Sequence, residues 1–343
     1  MKKQLSRFDK FVLFLNLVAV ALLLLACFVP TVRSLELSYL SLVGLGVPLL
    51  VLAHFLFLLY WIVRRKRYFG FSLLIILLSY ASLDSFYQIP FSKDKEDGNL
   101  KVMSYNVRCF NRYEELPSKT VLKDIKAFVK KEDPDIFCIQ ESFYDSSDDF
   151  KQYPYHYLQY IHMMGKGLLA VFSKYPIINT GLLNLPRTDS NAIYADIQYK
   201  NDTIRIYNVH LESLGITPGQ GVLSKEPTDK LFRQVSHAFR KQVEQAQVIE
   251  DHIASSPHKS ILCGDFNNGQ YSNVYRIIRG ELRDTFLEKG TGYGRTFVFH
   301  GVPLRIDFIL SDASFEVKSH TNYDVSYSDH YPVMASFKWP VMK

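Results

Sequence analysis

The sequence predicts a mixed α/β domain carried behind a membrane anchor of three helices, and three observations lead there. The first ninety residues hold long apolar runs almost free of charge. The rest alternates apolar stretches of strand length with stripes of helical period. The whole formal charge of +6 lies in the first part: nine basic and three acidic residues precede residue 91, which leaves 31 of each sign for the remainder. Hydrophobic residues make up 48% of the 343 and there are four cysteines, which excludes a disordered chain, a collagen-like repeat and a disulfide-stapled mini-scaffold.

The anchor comes first. Phe11 to Val29 is apolar except for Asn16 and, at about 1.5 Å per residue, can cross a hydrocarbon core of roughly 30 Å. Leu37 to Val63 carries no formal charge and contains Gly44, Gly46 and Pro48, which membrane helices tolerate better than soluble ones. Phe69 to Leu83 is shorter, and its span is expected to extend toward Gln88 with Asp84 near the interface. The predicted spans are therefore about 11–29, 37–63 and 69–88, with Tyr60, Trp61, Tyr68 and Tyr87 at belt positions. Lys2, Lys3, Arg7 and Lys10 precede the first span and Arg64, Arg65, Lys66 and Arg67 follow the second, whereas the intervening loop has only Arg33. Because basic residues are retained on the cytoplasmic side, this pattern predicts a multi-pass inner-membrane protein. Its N-terminus is inside, and everything after the third span is periplasmic or extracellular. A cleaved signal peptide and a lipobox-like Leu24-Leu25-Ala26-Cys27 are the competing readings of the first run. Its length and the two further spans argue against both.

Residues 91–99 read as a polar linker and 100–343 as one domain. Strand-length apolar runs recur at Leu100–Val107, Ile136–Ile139, Leu168–Phe172, Ala192–Ile197, Ile204–Val209, Ser260–Cys263, Arg305–Leu310 and Val333–Phe337. Val121, Ile125, Phe128 and Val129 form one helical stripe before Asp133-Pro134, and Phe239, Val243, Ala246, Ile249 and Ile253 form a second. Lys123, Lys126, Lys130 and Lys131 lie on the polar side of the first and read as a solvated face. Cys109, Cys138 and Cys263 show no metal-ligand spacing and read as small buried hydrophobes.

The chemistry sits where strands end. Asn106, Glu141, His210, Asp265 with Asn267, Asp307, and Asp329 with His330 interrupt or follow six separate runs. Loops at the ends of a rigid sheet are where a scaffold presents reactive groups. Any one of these has a plain explanation as a turn residue or a solvated carboxylate; eight together do not. Asn, Glu and Asp oxygens are hard ligands that suit Mg²⁺ or Mn²⁺, and the absence of a Cys/His cluster argues against zinc. Two histidines and further carboxylates can move protons and stabilise charge at phosphorus, so phosphoester hydrolysis is the natural fit.

Met103-Ser104-Tyr105-Asn106-Val107-Arg108, Ile139-Gln140-Glu141, Asn208-Val209-His210-Leu211, Gly264-Asp265-Phe266-Asn267, Ile306-Asp307-Phe308-Ile309 and Ser328-Asp329-His330 occur in the order and types of a known group. In these motifs, and in Gly167 to Pro176, the sequence resembles the endonuclease/exonuclease/phosphatase superfamily over about residues 100–338. The resemblance implies a four-layer α/β/β/α sandwich with a metal site at one end of its two sheets. It implies Glu141 as the main metal ligand, with Asn106 and Asp329 completing the shell. Asp265 would hold or deprotonate the attacking water, and Asn267 would orient it or contact the phosphate. His330, oriented by Asp307, would stabilise the transition state or act as base, His210 would contact the phosphoryl oxygen or protonate the leaving group, and Arg108 would pair with a phosphate.

The substrate stays open at this point. A nucleic acid and a phospholipid head group are both candidate partners, alongside the bilayer, and no protein partner is inferred. A phosphodiesterase or endonuclease acting outside the cytoplasm leads. The alternatives are a lipid head-group or phosphomonoester hydrolase and a catalytically silent, membrane-tethered binding module. Residues 91–343 sum to zero formal charge, so the domain offers no global basic field for a duplex. Leu214 to Lys230 is long for a strand-to-helix connection and reads either as a substrate-facing lid or as a surface insertion.

Overall fold

The first secondary structure along this sequence is helical. In the computed structural model, which describes residues 4–84, 86–89, 98–114, 116–142, 146–159, 168–186, 190–216 and 228–339, α1 spans Arg7–Phe28. It begins at a capping box in which Ser6 and Asp9 satisfy each other's backbone N–H groups. Helices α2 (Ser41–Leu45), α3 (Val47–Val63) and α4 (Phe69–Ser82) follow. Asn16, the one polar interruption of the first run, is fully buried among them: its Nδ2 donates to Ser72 Oγ at 2.9 Å and its Oδ1 accepts from Trp61 Nε1 at 3.2 Å. One polar residue thus joins α1, α3 and α4.

The expectation of three spanning helices is corrected here. By length and composition one helix among the described residues, Arg7–Thr31, is long and apolar enough to cross a membrane. The second run is broken: Ser38–Leu45 and Val47–Val63 meet at a bend of 48° and pass the same test only as a pair. Gly46 caps α2 and Pro48 stands in the first turn of α3, where a missing N–H costs nothing but the preceding helix cannot continue. The third run stops at Ser82, and Asp84 turns left-handed at φ 63°. Its 14 residues make about 21 Å, short of a bilayer core. The linker's residues 91–97 lie outside the described residues.

The helices do not hang free of the rest. They dock on helices α6 (Thr228–Ala254) and α7 (Asn273–Arg279) through a few specific pairs. Ser41 Oγ donates to Asn273 Oδ1 at 2.6 Å, Asn273 Nδ2 to the Val32 carbonyl at 2.9 Å, and Arg279 pairs with Asp84 at 2.8 Å. Arg33 and Glu250 form a further ion pair.

Among the described residues, two six-stranded sheets carry the remainder. One is ordered β13-β14-β1-β2-β4-β3, from Glu316–Asn322, Val333–Lys338, Leu100–Asn106, Ile136–Ser142, Leu168–Ser173 and Tyr155–Gln159. The other is β5-β6-β7-β8-β12-β9, from Ile177–Leu182, Asn191–Tyr199, Asp202–His210, Lys259–Asp265, Asp307–Ser311 and Arg283–Asp284. A short hairpin, β10 (Phe297–Phe299) and β11 (Val302–Leu304), stands beside them. All eight predicted strands are present.

Strand alternation explains the layering. Val102, Ile136, Cys138 and Val171 from the first sheet meet Ile204, Ile206, Ile261 and Cys263 from the second in a dry core between them. The intervening residues face outward: Met103, Tyr105, Phe137 and Ile139 pack under Ile125 and Val129 of α5 (Val121–Glu132). Tyr207, Val209 and Leu262 pack under Val243, Ala246 and Ile249 of α6. The result is the four-layer α/β/β/α sandwich. Cys109, Cys138 and Cys263 are buried thiols outside any disulfide, placed as small hydrophobes.

Candidate active site

Register brings the predicted residues together. β7 and β8 run parallel with His210 opposite Asp265, and β12 runs antiparallel to β8 with Asp307 opposite Asp265, so the three stand abreast across one sheet. Counting by twos, His210 continues the inward stripe Ile204, Ile206 and Asn208, and Asp265 continues Ile261 and Cys263. The inner face is apolar up to Ile206 and Cys263 and polar beyond them. In the facing sheet Asn106 ends the stripe of Val102 and Ser104, paired in register with Gln140 of parallel β2.

Glu141 needs a special backbone. Alternation places Gln140 inward and would aim Glu141 outward. A register shift between Ile139 and Ser142, with Glu141 itself left-handed at φ 53°, turns its carboxylate to the site instead. Gly264 is the second special position: φ is 142°, and a Cβ there would lie 1.9 Å from the Val209 carbonyl oxygen. Only glycine lets β8 come so close to β7 just before Asp265.

The side chains then form a connected cluster. Asn106 Nδ2 donates to Asp265 Oδ2 at 3.0 Å and to Glu141 Oε1 at 3.2 Å, bridging two carboxylates from opposite sheets. His330 holds Asp307 through Nδ1 at 2.9 Å and places Nε2 3.6 Å from Asp265. His210 Nε2 is buried without a hydrogen-bond partner among the described residues, 3.6 Å from Glu141 and 3.8 Å from Asp265. Asn267, left-handed at φ 48°, donates its N–H to Asp265 Oδ1 at 2.7 Å and its amide to the Leu211 carbonyl at 2.9 Å. Arg108 Nη1 meets Asp329 Oδ2 at 2.5 Å. The expected phosphate-binding residue and one expected metal ligand therefore engage each other.

Charge is unbalanced here. Burial pushes the Asp307 carboxyl up to about 6, opposed by His330 and reinforced by Asp265. Burial works against a charged His330, yet Asp307, Asp265 and Asp329 around it carry its pKa well above the ordinary imidazole value. Such a cluster suits a cation. Among the described His, Cys, Asp and Glu residues, Asp265, Asp307 and His330 lie close enough to share an ion, their ligand atoms within 4.8 Å of one another. His330 Nδ1 is already committed to Asp307, however. The oxygens gathered at Glu141, with the Asn106 amide beside it, fit a hard divalent ion better. Asn106 would join that shell by turning its amide to present Oδ1, which now accepts from the Arg108 N–H at 3.1 Å.

Several residues of the site carry no assignment from sequence. Asn208 donates to the Ile139 and Ala170 carbonyls, both at 2.9 Å, and accepts from Gln140 Nε2 at 2.6 Å. It pins the two sheets together one layer below the reactive groups. Both residues lie inside quoted motifs, which was the available signal. Thr296 Oγ1 accepts the Asp307 N–H at 3.0 Å, and the Phe297 ring lies 5.0 Å from that of His330. Nothing in their sequence surroundings marks them. A cavity of about 560 Å³ opens over Arg108, Glu141, Asn267, Asp329 and His330. Of the expected lid, residues 217–227 lie outside the described residues.

A four-layer sandwich with carboxylates and histidines gathered at one end of both sheets defines a class of hydrolase scaffold. The family described as the Endonuclease/Exonuclease/phosphatase family matches residues 103–330, so the chain belongs to it. Members of that family are in general hydrolases of phosphoesters and typically use divalent metals. A domain family of unknown function matches residues 9–86. No curated protein matches. Among solved structures, the chain is similar to an endonuclease/exonuclease/phosphatase family protein from Bacteroides thetaiotaomicron, with 21% identity, TM-score 0.54, and 72% of this chain and 100% of that chain covered. A mannosyl-6-phosphatase from the same organism gives 20%, 0.54, 70% and 100%. A D. rerio TDP2 humanized by 14 mutations gives 14%, 0.54, 70% and 98%. At these identities the likeness concerns the fold.

Proposed function

We propose that the chain is a membrane-anchored, divalent-metal-dependent phosphodiesterase whose catalytic domain, residues 100–343, works outside the cytoplasm. The observation that carries this reading is the convergence of Glu141, Asp265 and the unpartnered His210 nitrogen on one point between the sheets. Glu141, with Asn106 and Asp329, would hold Mg²⁺ or Mn²⁺. When bound, such an ion neutralises phosphoryl oxygens and makes a coordinated water more acidic. Asp265, fixed by Asn106 and by the Asn267 N–H, takes a proton from the attacking water. His330, held in place and kept cationic by Asp307, faces the charge that develops on the phosphoryl oxygens. His210 stands where it can donate to a phosphoryl or leaving oxygen, and Arg108 lines the approach. The apolar α1 supports the anchor, and with α1 as the crossing helix, Lys2, Lys3, Arg7 and Lys10 before it support an outside domain.

The test is hydrolysis of bis-p-nitrophenyl phosphate by the full chain in micelles. Activity with Mg²⁺ or Mn²⁺ should vanish with chelator. Metal-independent activity, or activity on no phosphoester, rejects the proposal. A reporter fused at the C-terminus should be active only outside the cytoplasm; activity inside reverses the orientation.

A further inference from the structure

The cavity over the site has one wall that the catalytic domain does not supply. Leu42 and Leu45 of α2 and Leu49 of α3 line it together with Glu141, Asn267 and His330. Phe232 of α6 and Phe299 and Val302 of the hairpin complete the apolar side. This wall is built into the fold. Ser41 is hydrogen-bonded to Asn273 at 2.6 Å, and a Cβ on Gly44 would lie 2.9 Å from the Tyr271 carbonyl oxygen, so α2 rests directly on the domain's backbone. Leu42 and Leu49 are at the same time 45% and 57% exposed, and Leu52, Phe55 and Leu56 continue that exposed apolar surface along α3. One continuous apolar path therefore runs from the outer face of the anchor to the reacting groups.

We infer that this path takes the hydrocarbon tail of an amphiphilic phosphodiester whose phosphate sits at Glu141, Asn267 and His330. The inference rests on the phosphodiesterase reading and narrows it to a substrate class. The volume of about 560 Å³ falls inside the range of roughly 300–1,000 Å³ typical of small-molecule sites, and its apolar wall suits methylenes. A polyanion has little to hold: among the described residues lining the cavity, Arg108 is the one Lys or Arg, and it is engaged by Asp329. In the reaction, water adds its oxygen to phosphorus and the P–O bond to the leaving alcohol breaks. One water proton passes by way of the protein to the leaving oxygen, and the tail stays in the cavity on its phosphate or leaves as the alcohol.

Alkyl p-nitrophenyl phosphodiesters from methyl to decyl test this with the full chain held in a bulky bile-salt-type detergent. Each methylene taken up should raise kcat/KM by up to about fourfold until the cavity is full. Leu42→Trp or Val302→Trp should cut the decyl-to-methyl ratio at least tenfold. Calorimetric binding of alkyl phosphonates should follow the same chain-length order without turnover. A flat series in kcat/KM and in phosphonate binding overturns the tail site, as does DNA cleavage with that flat series. Either leaves the hydrolase reading standing if the methyl diester is cleaved. Loss of hydrolysis across all substrates with chain-length-dependent phosphonate binding would instead reject the hydrolase reading and keep the tail site.

Discussion

Two buried carboxylates on paired strands of this domain, Asp284 of β9 and Asp307 of β12, behave in opposite ways. Asp284 accepts from Arg305 at 2.7 Å, from the Tyr275 hydroxyl at 2.6 Å and from the Phe286 N–H at 2.9 Å. Burial alone would raise its pKa; Arg305 beside it, with the Tyr275 hydrogen bond, brings it below the ordinary carboxylate value instead. Asp307, two residues after Arg305, is pushed up to about 6. Burial is the same, so the difference is the charge supplied around it. Asp284 has a permanent guanidinium partner and serves as a structural tie. Asp307 shares one imidazole with Asp265 in a cluster short of positive charge. A buried polar group whose partners balance it reads as architecture, and one whose partners leave a deficit reads as a site.

The largest expected effect breaks the site half of that comparison. Asp265→Asn and His330→Ala should each lower kcat/KM toward bis-p-nitrophenyl phosphate by about 10²–10⁴-fold, the range for a positioned proton-transfer group. Thermal unfolding should show the variants folded. Activity within threefold of the parent would remove these residues from the reaction.

Arg305→Met breaks the architectural half. It strands Asp284 without its cation and should cost about 3–5 kcal/mol in denaturant unfolding, with kcat per folded molecule retained. A loss below 1 kcal/mol would show that the pair is not structural. The pH dependence sharpens this. Because the folded pKa of Asp284 is lowered, its contribution is present above the unfolded value of about 3.9 and is lost as pH falls through the folded value. The parent should therefore lose stability in that acid window, and Arg305→Met should show a weaker dependence there.

The smallest effect extends the comparison to the helices. Asn16 is balanced like Asp284, so Asn16→Leu should cost about 1–3 kcal/mol by leaving Trp61 Nε1 and Ser72 short of partners. Hydrolysis should be unaffected. A change in kcat with stability intact would tie the helical region to the chemistry.

Much of this was legible in the sequence because buried strands and their polar ends differ so sharply. Leu168–Ser173 is buried throughout and reads as an apolar run, and Asp265 follows such a run directly. Tyr155–Gln159, Ile177–Leu182 and Glu316–Asn322 were not legible. Each lies at or toward a sheet edge, is largely half-exposed, and carries mixed polar residues that give no period. In the first ninety residues, apolar composition marked helices but not their ends, since Gly46 and Pro48 are tolerated within a span and here end a helix and begin the next. The docking of α2 on the domain rests on single pairs such as Ser41 with Asn273, which no local pattern announces. At the site, residue types pointed to a hard-metal phosphoesterase. The left-handed turn that aims Glu141, and the engagement of Arg108 with Asp329, are tertiary facts.

The central claim is that the strand-end cluster lacks positive charge because a divalent cation completes it. Calorimetric titration of the full chain with Mn²⁺ tests this most directly, with Glu141→Gln as comparison. Saturable binding by the parent that weakens at least tenfold in Glu141→Gln is the predicted result. Equal binding by both proteins, or none by the parent, would contradict the account.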